Sequence, residues 1–177
     1  MRITISAMLI ASALFFLTSC EAFPPASDAN KSQFTVYSSI DNDPEIYPDN
    51  DTLETFNNYA IDLRLDTEWT TWVAQKPGDW LMIDMGKKYR LSQIVLDDRA
   101  TINDFPHGFI VEVTDQPPEK SLNDTGAWRK IAEYGLEATN KGLTTIKLDH
   151  PVNTRYFRIR LTKDDPHWWS VYNIELQ

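Results

Sequence analysis

From residue 33 onward the chain repeats one pattern: an apolar or alternating run of five to seven residues, then a cluster of Pro, Gly, Asp or Asn. Runs of that length bounded by turn residues predict strands near Phe34–Ser38, Trp69–Val73, Trp80–Met85, Leu91–Asp97, Phe109–Thr114, Trp128–Tyr134, Thr144–Leu148, Arg155–Leu161 and Ser170–Leu176. Alternation is plainest in Phe109-Ile110-Val111-Glu112-Val113. It is equally clear in Arg155–Leu161, where Arg155, Phe157, Ile159 and Leu161 oppose Tyr156, Arg158 and Arg160. Pro77-Gly78, Pro106-His107-Gly108, Pro117-Pro118, Lys141-Gly142 and Asp165-Pro166 punctuate the runs. Eight or nine short strands without a helical period predict an all-β chain, a β-sandwich or jelly roll. Trp80, Leu81 or Met82, and Ile83 are expected to fill its core. Of the tandem Trp168-Trp169, Trp169 is expected inside and Trp168 partly exposed.

The first residues follow another rule. Arg2 precedes a mostly apolar run from Ile3 to Leu17, too short to span a bilayer comfortably and matching the apolar region of an export signal. It ends in Leu17-Thr18-Ser19-Cys20, which resembles the lipobox of bacterial lipoproteins. This predicts a signal peptide over 1–19, a lipidated Cys20 and attachment to a membrane of the bacterial cell envelope. Glu21 after the Cys, rather than Asp, points to the outer membrane. Residues 20–32 then read as lipidated Cys plus tether, stiffened by Pro24-Pro25, and 33–177 as one domain.

Charge narrows the partners. The 177 residues hold 17 Lys+Arg against 26 Asp+Glu, a formal net charge of −9. Loss of Arg2 with the signal leaves 16 against 26, or −10. Phosphate binding needs clustered positive charge, so nucleic acid is not an expected partner. One Cys excludes a disulfide framework, and three His on separate loops show no metal-ligand spacing. Neither a nucleophile elbow nor a phosphate-binding glycine pattern occurs, and no carboxylate pair stands out among 26 acids. The chain is therefore not expected to be an enzyme, and no cofactor is required.

Six segments between Tyr59 and Leu176 resemble the discoidin-like family, also called the coagulation-factor type C domain, which includes galactose-binding-like carbohydrate-binding modules. They are Ala60-Ile61-Asp62 with Thr67-x-Trp69-Thr70; Gly78–Lys87; Ile94–Asp97; Asp104-Phe105-Pro106-x-Gly108-Phe109-x-Val111-Glu112-Val113; Arg155–Ile159; and Trp168-Trp169-Ser170-Val171-x-x-Ile174-Glu175-Leu176. The resemblance implies an eight-stranded antiparallel jelly-roll sandwich, in agreement with the strand pattern. It also implies a structural calcium held by the Asp62 carboxylate, Thr67, backbone carbonyls of Tyr59 and Arg64, and a C-terminal Glu. Here Asn173 replaces that Glu, and Asp62-Leu63-Arg64 replaces the usual Asp-Gly-Asp. Calcium affinity follows ligand charge, so this set is weakened by one carboxylate and opposed by Arg64. The alternative is that Asp62 and Thr67 only tie their loop through hydrogen bonds.

In this family the ligand sits in loops at one end of the sandwich. A sugar needs an apolar ring for its C–H face and fixed polar groups for its hydroxyls. The loop Asp97–His107 supplies Asp98, Arg99, Asn103, Asp104 and His107, with His107 standing where relatives commonly carry Arg. The loop Lys163–Trp168 adds His167 and Trp168, and Trp72 adds a further ring. The implied function is a membrane-anchored, non-enzymatic lipoprotein that binds a glycan or cell-surface polysaccharide through these rim loops. The alternative is an interaction or assembly module with an envelope protein as partner and no sugar ligand.

Overall fold

The computed structural model describes residues 22–40, 52–99, 103–121, 125–135 and 142–177. Among them are eight strands: β1 (Thr35–Ser38), β2 (Trp69–Thr70), β3 (Trp80–Asp97), β4 (Phe109–Thr114), β5 (Arg129–Tyr134), β6 (Leu143–Leu161), β7 (Ser170–Val171) and β8 (Asn173–Leu176). Two short helices join them, α1 (Leu53–Asn58) and α2 (Pro118–Ser121). Every strand pairing is antiparallel.

β3 and β6 run side by side from Trp80↔Arg160 to Asp97↔Leu143, and each serves both layers of a jelly-roll sandwich. The first half of β3 pairs with β1 and with the second half of β6, which continues to β4 and β5. The second half of β3 pairs with the first half of β6 and with β8. The ladder slips between Asp84 and Tyr89, where Gly86 has φ +76°, a backbone state open to glycine at little cost. Asp84 fixes this bend by accepting from Gly86 N at 2.8 Å and Arg155 Nε at 2.7 Å.

Four of the predicted strands are therefore halves of two bent ones. The run at 69–73 stops after two residues because Trp72 is left-handed, with φ +53°. The run at 170–176 is split at Tyr172. α1 was not expected from the pattern, since six residues are too few to show a 3.6-residue period. It forms because Thr52 caps it, accepting from Thr55 N at 3.1 Å, while Phe56 enters the core. Residues 22–32, the described part of the segment read from sequence as a tether, lie against the sandwich together with Gln33 and Phe34. Arg90 N donates to the Pro24 carbonyl at 2.8 Å, and Ala26 and Phe34 are buried in the main core. The apolar signal run and Cys20 fall outside the described residues. No helix among those described is long and apolar enough to cross a membrane.

Strand alternation sorts the side chains as the pattern suggests. Leu81, Ile83, Val111, Phe157, Ile159, Trp69 and Trp169 meet between the layers. Met82, Trp128 and Tyr156 form a second cluster on the outer face, with half-buried Trp80 packed there and not in the main core. Beside it Glu112 is buried with Arg158 Nε at 2.7 Å and Arg160 Nε at 3.0 Å, and the Arg158 guanidinium lies over the Trp128 ring at 4.1 Å. Burial alone would raise the Glu112 pKa, but the two guanidinium groups win and hold it below the usual range. Removing one partner of such a buried pair strands the other charge. Glu112→Ala should cost about 3–5 kcal/mol in urea unfolding, whereas Arg160→Ala, which is partly exposed, should cost no more than about 1 kcal/mol.

Candidate functional site

Three loops meet at one end of the sandwich, and the buried side chain of Gln75 joins them. Its Nε2 donates to the carbonyls of Phe105 (2.9 Å) and Trp168 (3.0 Å), and its Oε1 accepts from His107 N (3.2 Å). Its backbone closes the same knot, with Gln75 N donating to His167 O and Asp165 N donating to Gln75 O. A buried amide with every one of these groups satisfied makes a rigid junction, because no water competes for its bonds. Ser170 N also donates to Asp104 O at 2.7 Å, tying the 103–108 loop to β7.

On this junction sit two rings and a polar wall. Trp72 and Trp168 meet edge to face, with centroids 5.1 Å apart, and Trp168 is 40% exposed. His107 and His167 both turn Nδ1 to Asp165, at 2.8 Å from Oδ2 and 2.6 Å from Oδ1 respectively. The His107 ring stacks on Phe105 at 4.4 Å. Burial works to raise the Asp165 pKa, but the His167 backbone and ring bonds and the charges of both imidazoles hold it below the usual range. Burial raises that of Asp104, with His167 opposing. His107 and His167 thus come together through the fold although nothing in their spacing along the chain says so.

Of the eight expected ligand groups, Trp72, Asp104, His107, His167 and Trp168 belong to this end. Asn103 is exposed on the same loop. Arg99 is committed elsewhere, its Nε and Nη2 gripping Asp97 at 2.9 and 2.6 Å. Asp98 is 1% exposed and faces inward, so the expectation of a ligand contact from it fails. Adjacent residues at a strand end point to opposite faces, so Asp98 turns away from the Asp97–Arg99 pair, and both acids are buried. The residues implied for calcium lie together on another part of the surface: Asp62 with Thr67 and Arg64, Asn173 with Lys31. Tyr59 packs its ring edge to face with Phe56 at 6.0 Å.

Gln75 and Asp165 were missed by reasoning from sequence. Gln75 follows Trp72 in an undistinguished loop, and nothing about a lone Gln announces that it is buried. Asp165 carried one usable signal, its place between Lys163 and His167 in a loop already under suspicion.

A profile of the F5/8 type C domain matches residues 33–175. No curated protein matches the chain. Among solved structures, the family 32 carbohydrate-binding module of C. perfringens NanJ in complex with galactose is 19% identical, with a TM-score of 0.60 over 82% of this chain and 94% of that one. A module from Clostridium perfringens in complex with GalNAc-β-1,3-galactose is 17% identical, with a TM-score of 0.61 over 82% and 96%. The module of AlyQ in complex with 4,5-unsaturated mannuronic acid is 17% identical, with a TM-score of 0.55 over 80% and 92%. At these identities the likeness establishes the jelly-roll fold.

Asp98 gives this end a measurable signature. Neither carboxylate oxygen makes a hydrogen bond of good geometry. Burial, with the charge of Asp97, pushes its pKa up to about 6 against a weaker pull from backbone N–H groups at Asp98 and Gly142. The folded state then holds a proton that the unfolded state has already lost, so this group makes stability fall as pH rises from about 4 through 6. Asp98→Asn should be more stable than the parent by about 1–3 kcal/mol at pH 7. Urea unfolding across that pH window should show the gap closing toward pH 4.

Proposed function

This chain belongs to the F5/8 type C domain family across residues 33–175, and on that premise we propose that it binds a glycan, without transforming it, at the rim held by Gln75. The observation that carries the proposal is the Trp72–Trp168 pair set beside the His107–Asp165–His167 wall. An indole face takes the C–H side of a pyranose, and oriented imidazoles and a carboxylate take its hydroxyls. Asp165, gripped by both imidazoles, keeps its charge and fixes the direction of both rings. The left-handed backbone at Trp72, φ +53°, is the kind of strain that accumulates where a side chain must be aimed. The sugars carried by the similar modules, galactose, GalNAc-β-1,3-galactose and an unsaturated mannuronic acid, support a saccharide as the ligand class.

Cys20 completes the proposal, as the lipidated residue that holds the domain at the cell envelope, with Glu21 favouring the outer membrane. Acyl chains provide the membrane affinity by burying methylenes, at about 0.8 kcal/mol each. Cys20→Ala should leave an uncleaved precursor that lacks acyl label in metabolic labelling with palmitate. Labelling that survives the change would refute lipidation at this position.

The binding test is an NMR titration with galactose, N-acetylgalactosamine and a uronic acid. Affinity in the micromolar to millimolar range is expected for so small and open a contact, with shifts confined to residues 72–75, 104–107 and 165–168. Trp168→Ala should weaken it at least about tenfold, the loss of one stacked ring, while leaving the melting temperature nearly unchanged. Absence of shifts with all three sugars, or shifts elsewhere, refutes the rim as a glycan site and returns the protein-partner reading.

A further inference from the structure

The calcium implied by the family resemblance does not find its donors here. Asp62 Oδ1 accepts from Arg64 N at 2.9 Å and Oδ2 from the Thr67 hydroxyl at 2.7 Å, so both carboxylate oxygens are engaged within their own loop. The C-terminal carboxylate is replaced by Asn173, an amide with no charge to offer. Its oxygen is also engaged: it accepts from Lys31 Nζ at 3.1 Å, and the same ammonium donates to the Ile174 carbonyl at 2.6 Å.

We infer that the Lys31 ammonium does in this chain the work of the divalent ion, as an internal cation carried in by residues 22–34. An ammonium is a compact point charge with three donors and can satisfy oxygens gathered for a metal, provided one negative charge is removed. The exchange of Glu for Asn at 173 is that removal. Burial pulls the Lys31 pKa down, while the charges of Glu175 and Asp62 pull it up, so acidic groups face this ammonium from both the C-terminal strand and the Asp62 loop. Lys31 and Asp62 line one cleft of about 610 Å³ between residues 29–34 and the loop after α1.

Leu63 lies in the same loop and lines the same cleft. It stands where the resemblance puts Gly, its φ is +65°, and its side chain is 65% exposed. A left-handed backbone is one that glycine adopts at little cost, and Leu63 adopts it with little packing to compensate.

The inference is independent of the glycan reading and is tested by thermal unfolding of the full chain in detergent. The parent should melt at the same temperature with millimolar calcium and with a chelator. Lys31→Met, which keeps the stem and removes the charge, should melt lower by about 3–8 °C, the response to losing charge-assisted bonds in a domain of this size. In Lys31→Ala/Asn173→Glu the carboxylate is restored and the ammonium withdrawn, and calcium should now raise the melting temperature by several degrees. A parent stabilised by calcium, a Lys31→Met variant that melts like the parent, or a double variant indifferent to calcium would each overturn the substitution of lysine for metal.

Discussion

The antiparallel pairing of β3 with β6 is the constraint from which everything else hangs. It runs from Trp80↔Arg160 to Asp97↔Leu143 with register shifts near Gly86 and at Ser92, and so puts both layers of the sandwich on the same pair of strands. A bend in the middle of a ladder leaves backbone groups unpaired unless something else takes them. Asp84 does so, holding Gly86 N with the oxygen that also meets Arg155 on the partner strand. The strands that complete each layer are added at the edges of this pair, and the loops that form the rim are fixed where the rest of the ladder ends.

Legibility in the sequence followed the range of the interaction concerned. Most strand positions, the core face of 157–161 and the inward turn of Trp169 rest on period-2 alternation, which a chain displays locally, and these agree with the structure, the shortened run at 69–73 and the split run at 170–176 apart. Continuity through the bends was not visible, because Lys87-Lys88 and Asp149-His150-Pro151 look like turns until a partner strand is laid beside them. At the rim, aromatic and imidazole residues were found by type, since few other roles suit Trp and His in a loop. Asp98 was misplaced because type says nothing of which face a strand-end residue occupies. Gln75 lay beyond reach for the opposite reason: its importance comes from two loops, 30 to 93 residues away, converging on one amide.

Charge is handled in three different ways in this acidic domain. Glu112 is buried but matched by two guanidinium groups, so its burial costs little beyond what the pairs return. Asp165 is matched by imidazoles at an accessible rim, where a carboxylate can both orient its neighbours and meet a ligand. Asp98 is matched by nothing comparable, and its raised pKa is the consequence. Asp62 is held within its own loop, by Arg64 N and the Thr67 hydroxyl. A net charge of −9 makes such local matching necessary, because uncompensated carboxylates at that density repel one another.

If Cys20 carries the proposed lipid, the docked segment 22–34 would limit how far the domain can stand from the membrane. Pro24 is bonded to Arg90, so only four peptide units separate it from Cys20, a reach of at most about 14 Å. From Arg90 the strand β3 runs on to Asp97, about 20 Å further at roughly 3.3 Å per residue, before the loop toward His107 begins. A long flexible tether would leave orientation free. In the lipidated form proposed above, this short one would hold the Arg90 region close to the bilayer. Lys31 fastens the segment at a second point, through Asn173 and Ile174, so that little of residues 22–34 would be free to act as a leash.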